Sequence, residues 1–99
     1  MTVGMFRQPE GPRCIYLLDD DPDICRLVSS TLREFGFETV ECHTAAELRR
    51  LLLVRVPDLC IVDLGLPDAD GMDVVRELQA NHPCGVMVLT GRGYLSDRV

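Results

Sequence analysis

Short apolar runs alternate along this chain with segments whose apolar residues recur every three or four positions. Residues 14–18 and 59–62 have the length and composition of buried strands, and the apolar run 86–89 predicts a further strand. Residues 38–42 alternate between apolar and polar positions, which predicts a partly exposed strand. The pattern therefore predicts four strands separated by helical segments.

The first helical segment carries clear start and stop signals. Asp21 precedes Pro22, which pairs a capping carboxylate with a proline at the first helical position. Gly36 is typical of the residue that ends a helix. The helix is predicted to bury one stripe, formed by Ile24, Leu27, Val28, Thr31, Leu32 and Phe35.

Two further helices follow. Thr44 and Glu47 have the spacing of a capping box at the start of the second, whose pattern stops before Pro57. A third begins in a loop rich in proline, aspartate and glycine, and its predicted stripe is Met72, Val75 and Leu78. Strand and helix alternate with short connections, so the sequence predicts an α/β fold with a doubly wound parallel sheet.

Composition and charge narrow the class of protein. The 99 residues are 46% hydrophobic with a mean hydropathy of +0.09, which is typical of one small globular domain, predicted over residues 14–99. Residues 1–13 are predicted to be a flexible arm because they contain two glycines and two prolines. A net charge of −6 argues against direct nucleic-acid binding. No membrane span or signal peptide is found in the sequence, so we expect a cytoplasmic protein.

Neither the cysteines nor the histidines form a recognised metal-binding or redox motif. The five cysteines are scattered without a CxxC pair, and we expect them to be reduced structural residues. His43 and His82 have no ligand partner at the spacing of a metal motif, and we interpret both as structural.

Acidic residues follow two of the predicted strands. Asp19, Asp20 and Asp21 come directly after the first strand, and Asp63 follows the third. The carboxyl ends of parallel strands meet at one edge of a sheet, where open α/β sheets bind ligands. If these strands are neighbours, Asp19, Asp20 and Asp63 converge there, and a cluster this negative requires a divalent cation. Asp21 is interpreted as a helix cap.

Three segments of the chain resemble the receiver domain of two-component response regulators. They are residues 17–22, 63–71 and 88–91, which read LLDDDP, DLGLPDADG and VLTG. The resemblance covers about residues 14 to 99 and implies a flavodoxin-like sheet of order 2-1-3-4-5. Because this chain stops before the fifth strand, we expect the order 2-1-3-4, with the fifth strand and the last helix missing.

The resemblance also implies the residues of a phosphoryl-transfer site. Asp63 is the phosphoacceptor, Thr90 donates its hydroxyl to a phosphoryl oxygen, and Gly91 leaves space for the phosphoryl group. The implied Mg²⁺ ligands are Asp19, Asp20, Asp63 and the backbone carbonyl of Gly65.

The function implied by the resemblance is acceptance of a phosphoryl group from a sensor histidine kinase. The chain is then expected to catalyse at most its own phosphorylation and the slow hydrolysis of its own phosphoryl group. An output domain is expected in a full-length parent protein. One alternative is an interaction module that works without phosphorylation. Another is an aspartyl-phosphate hydrolase, suggested by the spacing of Asp19 and Asp21, but the chain is short for such an enzyme.

The end of the chain departs from the family pattern. Receivers carry a lysine at the end of their fifth strand, whereas this sequence contains no lysine and stops inside the predicted fourth helix. Arg92 is the nearest cation, but a guanidinium on a loop is not equivalent to a fixed ammonium. We interpret the chain as part of a longer protein, in preference to a naturally short receiver. With the fourth strand unpaired, self-association into a homodimer is expected.

Overall fold

Four parallel strands form a sheet with helices on both faces in the computed structural model, which describes residues 13–89. The elements in chain order are β1 (Cys14–Leu18), α1 (Pro22–Glu34), β2 (Glu38–Cys42), α2 (Ala45–Val54), β3 (Leu59–Asp63), α3 (Gly71–Asn81) and β4 (Gly85–Leu89). The strand order is β2-β1-β3-β4. The predicted class and strand order are confirmed.

Two of the predictions concern residues outside the described part of the chain. Apart from Arg13, these are the N-terminal arm and everything after Leu89. β4 itself lies within the described residues, and the expected self-association through it stays a prediction. No helix within residues 13–89 is long and apolar enough to cross a membrane.

Alternate residues of the strands build one apolar cluster on each face of the sheet. Tyr16 and Leu18 of β1 pack on the side of α2 and α3. Ile15 and Leu17 point the other way and pack with Cys25 of α1. This alternation follows from the two-residue period of a strand, and it buries both faces of β1.

The buried face of α1 differs from the predicted stripe. Leu27 and Phe35 are 69% and 75% exposed, whereas Cys25 and Ser29 are fully buried. The buried face includes Cys25, Val28, Ser29 and Leu32. At 100° per residue, this face is rotated by about 80° around the helix axis from the predicted face. Within the described residues α1 is the only helix on its face of the sheet. A single helix buries only a narrow stripe of residues, and the orientation in which it docks on the sheet determines which residues these are.

The helix ends follow the predicted signals with one difference. Asp21 caps α1 by accepting from the backbone N–H of Asp23 at 2.9 Å, and Gly36 has a φ of 92°, which favours glycine. Thr44 caps α2 by accepting from Glu47. The Glu47 carboxylate, however, accepts from the backbone N–H of His43, one residue before the expected donor.

The remaining differences are small. β3 extends through Asp63, one residue beyond the prediction, and β4 begins at Gly85. In α3 the buried residues include Val74, Val75 and Leu78, while Met72 is 38% exposed. All five cysteines are free thiols, as predicted.

Candidate functional site

Three carboxylates meet at the carboxyl edge of the sheet. β1 and β3 are hydrogen-bonded neighbours with Leu18 opposite Val62, so the residues that follow them emerge side by side. One carboxylate oxygen from each of Asp19, Asp20 and Asp63 lies within 4.8 Å of the others. The structure thus brings together the three carboxylates that the sequence placed after β1 and β3.

Asp19 is held in place by its own backbone and by that of its neighbours. Its N–H donates to the carbonyl of Cys42 at 3.1 Å. Its Oδ1 accepts from the N–H of Asp21 at 2.9 Å. Asp19 and Asp63 are 3% and 5% exposed, while Asp20 is open to solvent. The cluster therefore has two buried, positioned carboxylates and an accessible side.

The electrostatics of this cluster favour a bound cation. Burial raises the pKa of Asp19, and the carboxylates of Asp63 and Asp20 raise it further, against the lowering effect of the Asp21 N–H. Two ionised carboxylates whose oxygens lie within 4.8 Å of each other repel by at least roughly 3 kcal/mol at an effective dielectric constant of about 20. An all-oxygen donor set of this kind suits a hard divalent cation such as Mg²⁺.

Of the other predicted site residues, Gly65 lies within the described part of the chain. Gly65 is exposed, two residues after Asp63 in the loop that leads to α3. Leu89 of β4 pairs with Asp63. Thr90 and Gly91 follow Leu89 in the sequence and lie outside the described residues, so their roles stay predictions.

Gly71, predicted only to shape the loop and to open the third helix, also lies against the site. A Cβ on this residue would lie 2.4 Å from the Cα of Leu64 and 2.7 Å from the carbonyl oxygen of Asp63. The first residue of α3 thus packs directly against the backbone of the proposed phosphoacceptor. A glycine at the first position of a helix, where it is a poor helix former, was the only signal in the sequence.

Asp68 connects the same loop to α2. Its two carboxylate oxygens accept from the backbone N–H groups of Ala45 and Ala46 at 3.0 and 3.2 Å. These hydrogen bonds lower the pKa of Asp68 and supply negative charge at the start of α2. The position of the loop after Asp63 is therefore coupled to the end of a second helix.

Comparison with known proteins identifies the family. A family model described as the response regulator receiver domain matches residues 15–99. The chain belongs to the response regulator receiver family. It is 33% identical to the photosynthetic apparatus regulatory protein RegA of Cereibacter sphaeroides over 100 aligned residues, which cover the whole chain and 54% of RegA. It is 36% identical to the response regulator protein PilR of Pseudomonas aeruginosa over 84 residues, which cover 84% of the chain and 19% of PilR.

The fold matches solved receiver structures as well. The BeF3-activated N-terminal receiver domain of Klebsiella pneumoniae RstA superposes with a TM-score of 0.73 at 26% identity, covering 78% of this chain and 66% of that one. The sheet is thus the flavodoxin-like sheet of receivers, with the order 2-1-3-4 in the described residues. The chain is a receiver domain of the two-component type, a family of signalling domains that are phosphorylated by kinases and bind Mg²⁺ in general. Curated relatives such as RegA and PilR are about twice to five times its length.

Proposed function

We propose that this receiver accepts a phosphoryl group on Asp63, with Mg²⁺ bound by Asp19, Asp20 and Asp63. The observation that carries the proposal is the convergence of these three carboxylates within 4.8 Å at the carboxyl edge of the sheet. Family membership supplies the reaction class, and the geometry supports the choice of residues. We assign a fourth oxygen ligand to the backbone carbonyl of Gly65.

Asp63 is suited to act as the nucleophile because it needs positioning more than activation. A carboxylate is ionised at neutral pH, so no general base is required. An oxygen of Asp63 forms a bond to phosphorus while the bond from phosphorus to the donor histidine nitrogen breaks. The electron pair of that bond returns to the imidazole. When bound, Mg²⁺ supplies positive charge that offsets the repulsion between the anionic donor and the carboxylates.

The surrounding residues of the chain hold this arrangement. Asp19 is fixed by the Asp21 N–H and buried, so its carboxylate is presented to the cation in one orientation. Gly71 allows the backbone at Asp63 and Leu64 to pack against α3 without a side chain between them. Thr90 is proposed to donate its hydroxyl to a phosphoryl oxygen, with Gly91 leaving space beside it.

The proposed partners follow from the same reaction. The phosphodonor is a histidine phosphate of a sensor kinase, and the response is passed to an output domain in a longer protein. The RstA receiver domain compared above is BeF3-activated. Beryllium trifluoride is therefore a suitable probe for the site in this chain.

The test is phosphorylation of the full chain by a small phosphoramidate in the presence of Mg²⁺, followed by intact-mass measurement. We expect one added phosphoryl group on the wild type and none on Asp63→Asn. Asp70→Asn is the matched control because Asp70 lies on the same loop outside the cluster and caps α3 through Met72, a role that asparagine also fills. It should be phosphorylated like the wild type.

A folded Asp63→Asn variant that still gains a phosphoryl group would contradict the assignment. A wild type that stays unmodified and does not bind beryllium trifluoride would favour the interaction module instead. A thermal melt with and without millimolar Mg²⁺ tests the metal site separately. We expect the midpoint to rise with Mg²⁺, because a ligand that binds the folded state stabilises it.

A further inference from the structure

A second group of metal-ligating side chains lies on the α1 side of the sheet, beside β2. It consists of Cys25 from the first turn of α1, Glu41 from the end of β2, and His43 just after that strand. One donor atom of each residue lies within 4.8 Å of the other two. None of the three takes part in the proposed phosphorylation, so this group is open to a function of its own.

Each member of the group is anchored by backbone contacts. Cys25 is fully buried, and its thiol donates to the carbonyl oxygen of Asp19 at 3.3 Å. Glu41 is paired with Leu17 in the ladder between β1 and β2. The N–H of His43 is held by the Glu47 carboxylate at 2.6 Å. The three donors are therefore brought together by fixed elements of the fold and not by mobile loops.

His43 provides an independent indication of a missing ligand. Its Nε2 atom is buried and has no hydrogen-bond partner among the described residues. A buried ring nitrogen without a partner is costly, because it has lost water without gaining a replacement. Coordination of a metal ion by the imidazole of His43 compensates this cost and gives the ring a fixed orientation.

The donor types indicate which ion the group takes. A thiolate, an imidazole nitrogen and a carboxylate oxygen are the ligands of Zn²⁺, whereas Mg²⁺ prefers oxygen ligands alone. In a tetrahedral zinc site neighbouring donors are about 3.2 to 3.8 Å apart. The observed limit of 4.8 Å thus requires a contraction of about 1.5 Å at most, which side-chain rotations supply.

We propose that Cys25, Glu41 and His43 form a Zn²⁺ site, distinct from the carboxylate cluster that binds Mg²⁺. Three protein ligands leave the fourth position of the ion for water. On binding, the Cys25 thiol releases its proton to solvent and its hydrogen bond to the Asp19 carbonyl is lost. The ion enters past Glu41 on the edge strand β2 and His43 just after it, which are both half-buried.

No pattern in the sequence predicted this site. Cys25 is sixteen positions from Glu41, a spacing that no metal motif uses, and His43 was interpreted as structural because it had no ligand at motif spacing. The pairing of β1 with β2 and the docking of α1 bring the three together. The interpretation of Cys25 and His43 as purely structural is replaced by this proposal.

The test uses Co²⁺ as a spectroscopic substitute for Zn²⁺, titrated into the reduced full chain in excess Mg²⁺. A thiolate bound to Co²⁺ gives a near-ultraviolet charge-transfer band, which carboxylates alone do not. We expect this band in the wild type and its loss on addition of Zn²⁺. His43→Gln and Glu41→Gln should weaken Co²⁺ binding at least about tenfold, and Cys25→Ser should remove the band.

Matched controls use the same substitutions at positions outside the group. Cys84→Ser and His82→Gln should keep the band and the affinity, and Asp63→Asn should keep both because it alters only the Mg²⁺ site. Circular dichroism establishes that each variant is folded, and if Cys25→Ser is not, the half-buried His43→Gln decides the question. Absence of the band in the folded wild type, or a folded His43→Gln variant that binds Co²⁺ as tightly as the wild type, would overturn the proposal.

Discussion

Replacing Gly71 with alanine tests how closely α3 packs against the loop that follows Asp63. The new Cβ would lie 2.4 Å from the Cα of Leu64 and 2.9 Å from its carbonyl oxygen. Ordinary contact between carbon atoms begins at about 3.5 Å, so the two backbones must separate by about 1 Å. The obstacle is backbone and not the end of a flexible side chain, which means that the loop itself has to move.

Two consequences follow from that separation. Forcing extra volume into a packed site costs about 1 to 3 kcal/mol, and the better helix propensity of alanine recovers at most about 1 kcal/mol. We expect Gly71→Ala to lower the free energy of unfolding by about 1 to 2 kcal/mol. Because a displacement of about 1 Å at a reacting group costs up to about a hundredfold in rate, phosphorylation of Asp63 should slow by a similar factor.

Urea denaturation measures the first effect, and the initial rate of phosphorylation by a phosphoramidate measures the second. Gly85→Ala is the matched control because its Cβ meets the Cδ1 atom of Leu59 at 3.3 Å, the end of a side chain that can turn aside. Its unfolding free energy should change by less than about 1 kcal/mol. If Gly71→Ala is as stable and as rapidly phosphorylated as Gly85→Ala, the argument from close backbone packing is wrong.

Two further predictions concern charge. Since the pKa of Asp19 is raised in the folded protein, the metal-free domain should lose stability as pH rises from about 4 through that raised pKa. Asp19→Asn should remove this loss of stability, as measured by thermal melts across pH. It should also weaken Mg²⁺ binding at least about tenfold, as measured by calorimetry. An Asp19→Asn variant that binds Mg²⁺ normally would place the metal elsewhere. The pKa of Asp68 is lowered, so its contribution to stability is present above about pH 4 and is lost as pH falls through the lowered value. Asp68→Asn should therefore reduce the melting temperature near pH 7 but not near pH 2, and an equal reduction at both would refute the role of its charge at α2.

Local signals in the sequence were sufficient for the elements of this fold. Apolar runs predicted β1 and β3 to within one residue, because a strand buried on both faces must be apolar along its length. Asp21 and Gly36 marked the ends of α1, since a capping carboxylate and a left-handed backbone are requirements of single positions. The acids after β1 and β3 could be assigned to a common edge because parallel strands share their direction.

Tertiary structure decided which of these residues meet. The buried face of α1 depends on its docking against Ile15 and Leu17, and more than one apolar face of the same helix could pack against these residues. Asp68 contacts the start of α2, 23 positions away in the sequence. Gly71 contacts Leu64 because α3 packs back against the end of β3. The sequence by itself determined the elements, the family and the edge at which Asp19, Asp20 and Asp63 converge. The contact of Asp68 with the start of α2, the close contact at Gly71 and the group of Cys25, Glu41 and His43 arise from packing between elements, because periodicity and single-residue signals describe a segment and not its neighbours.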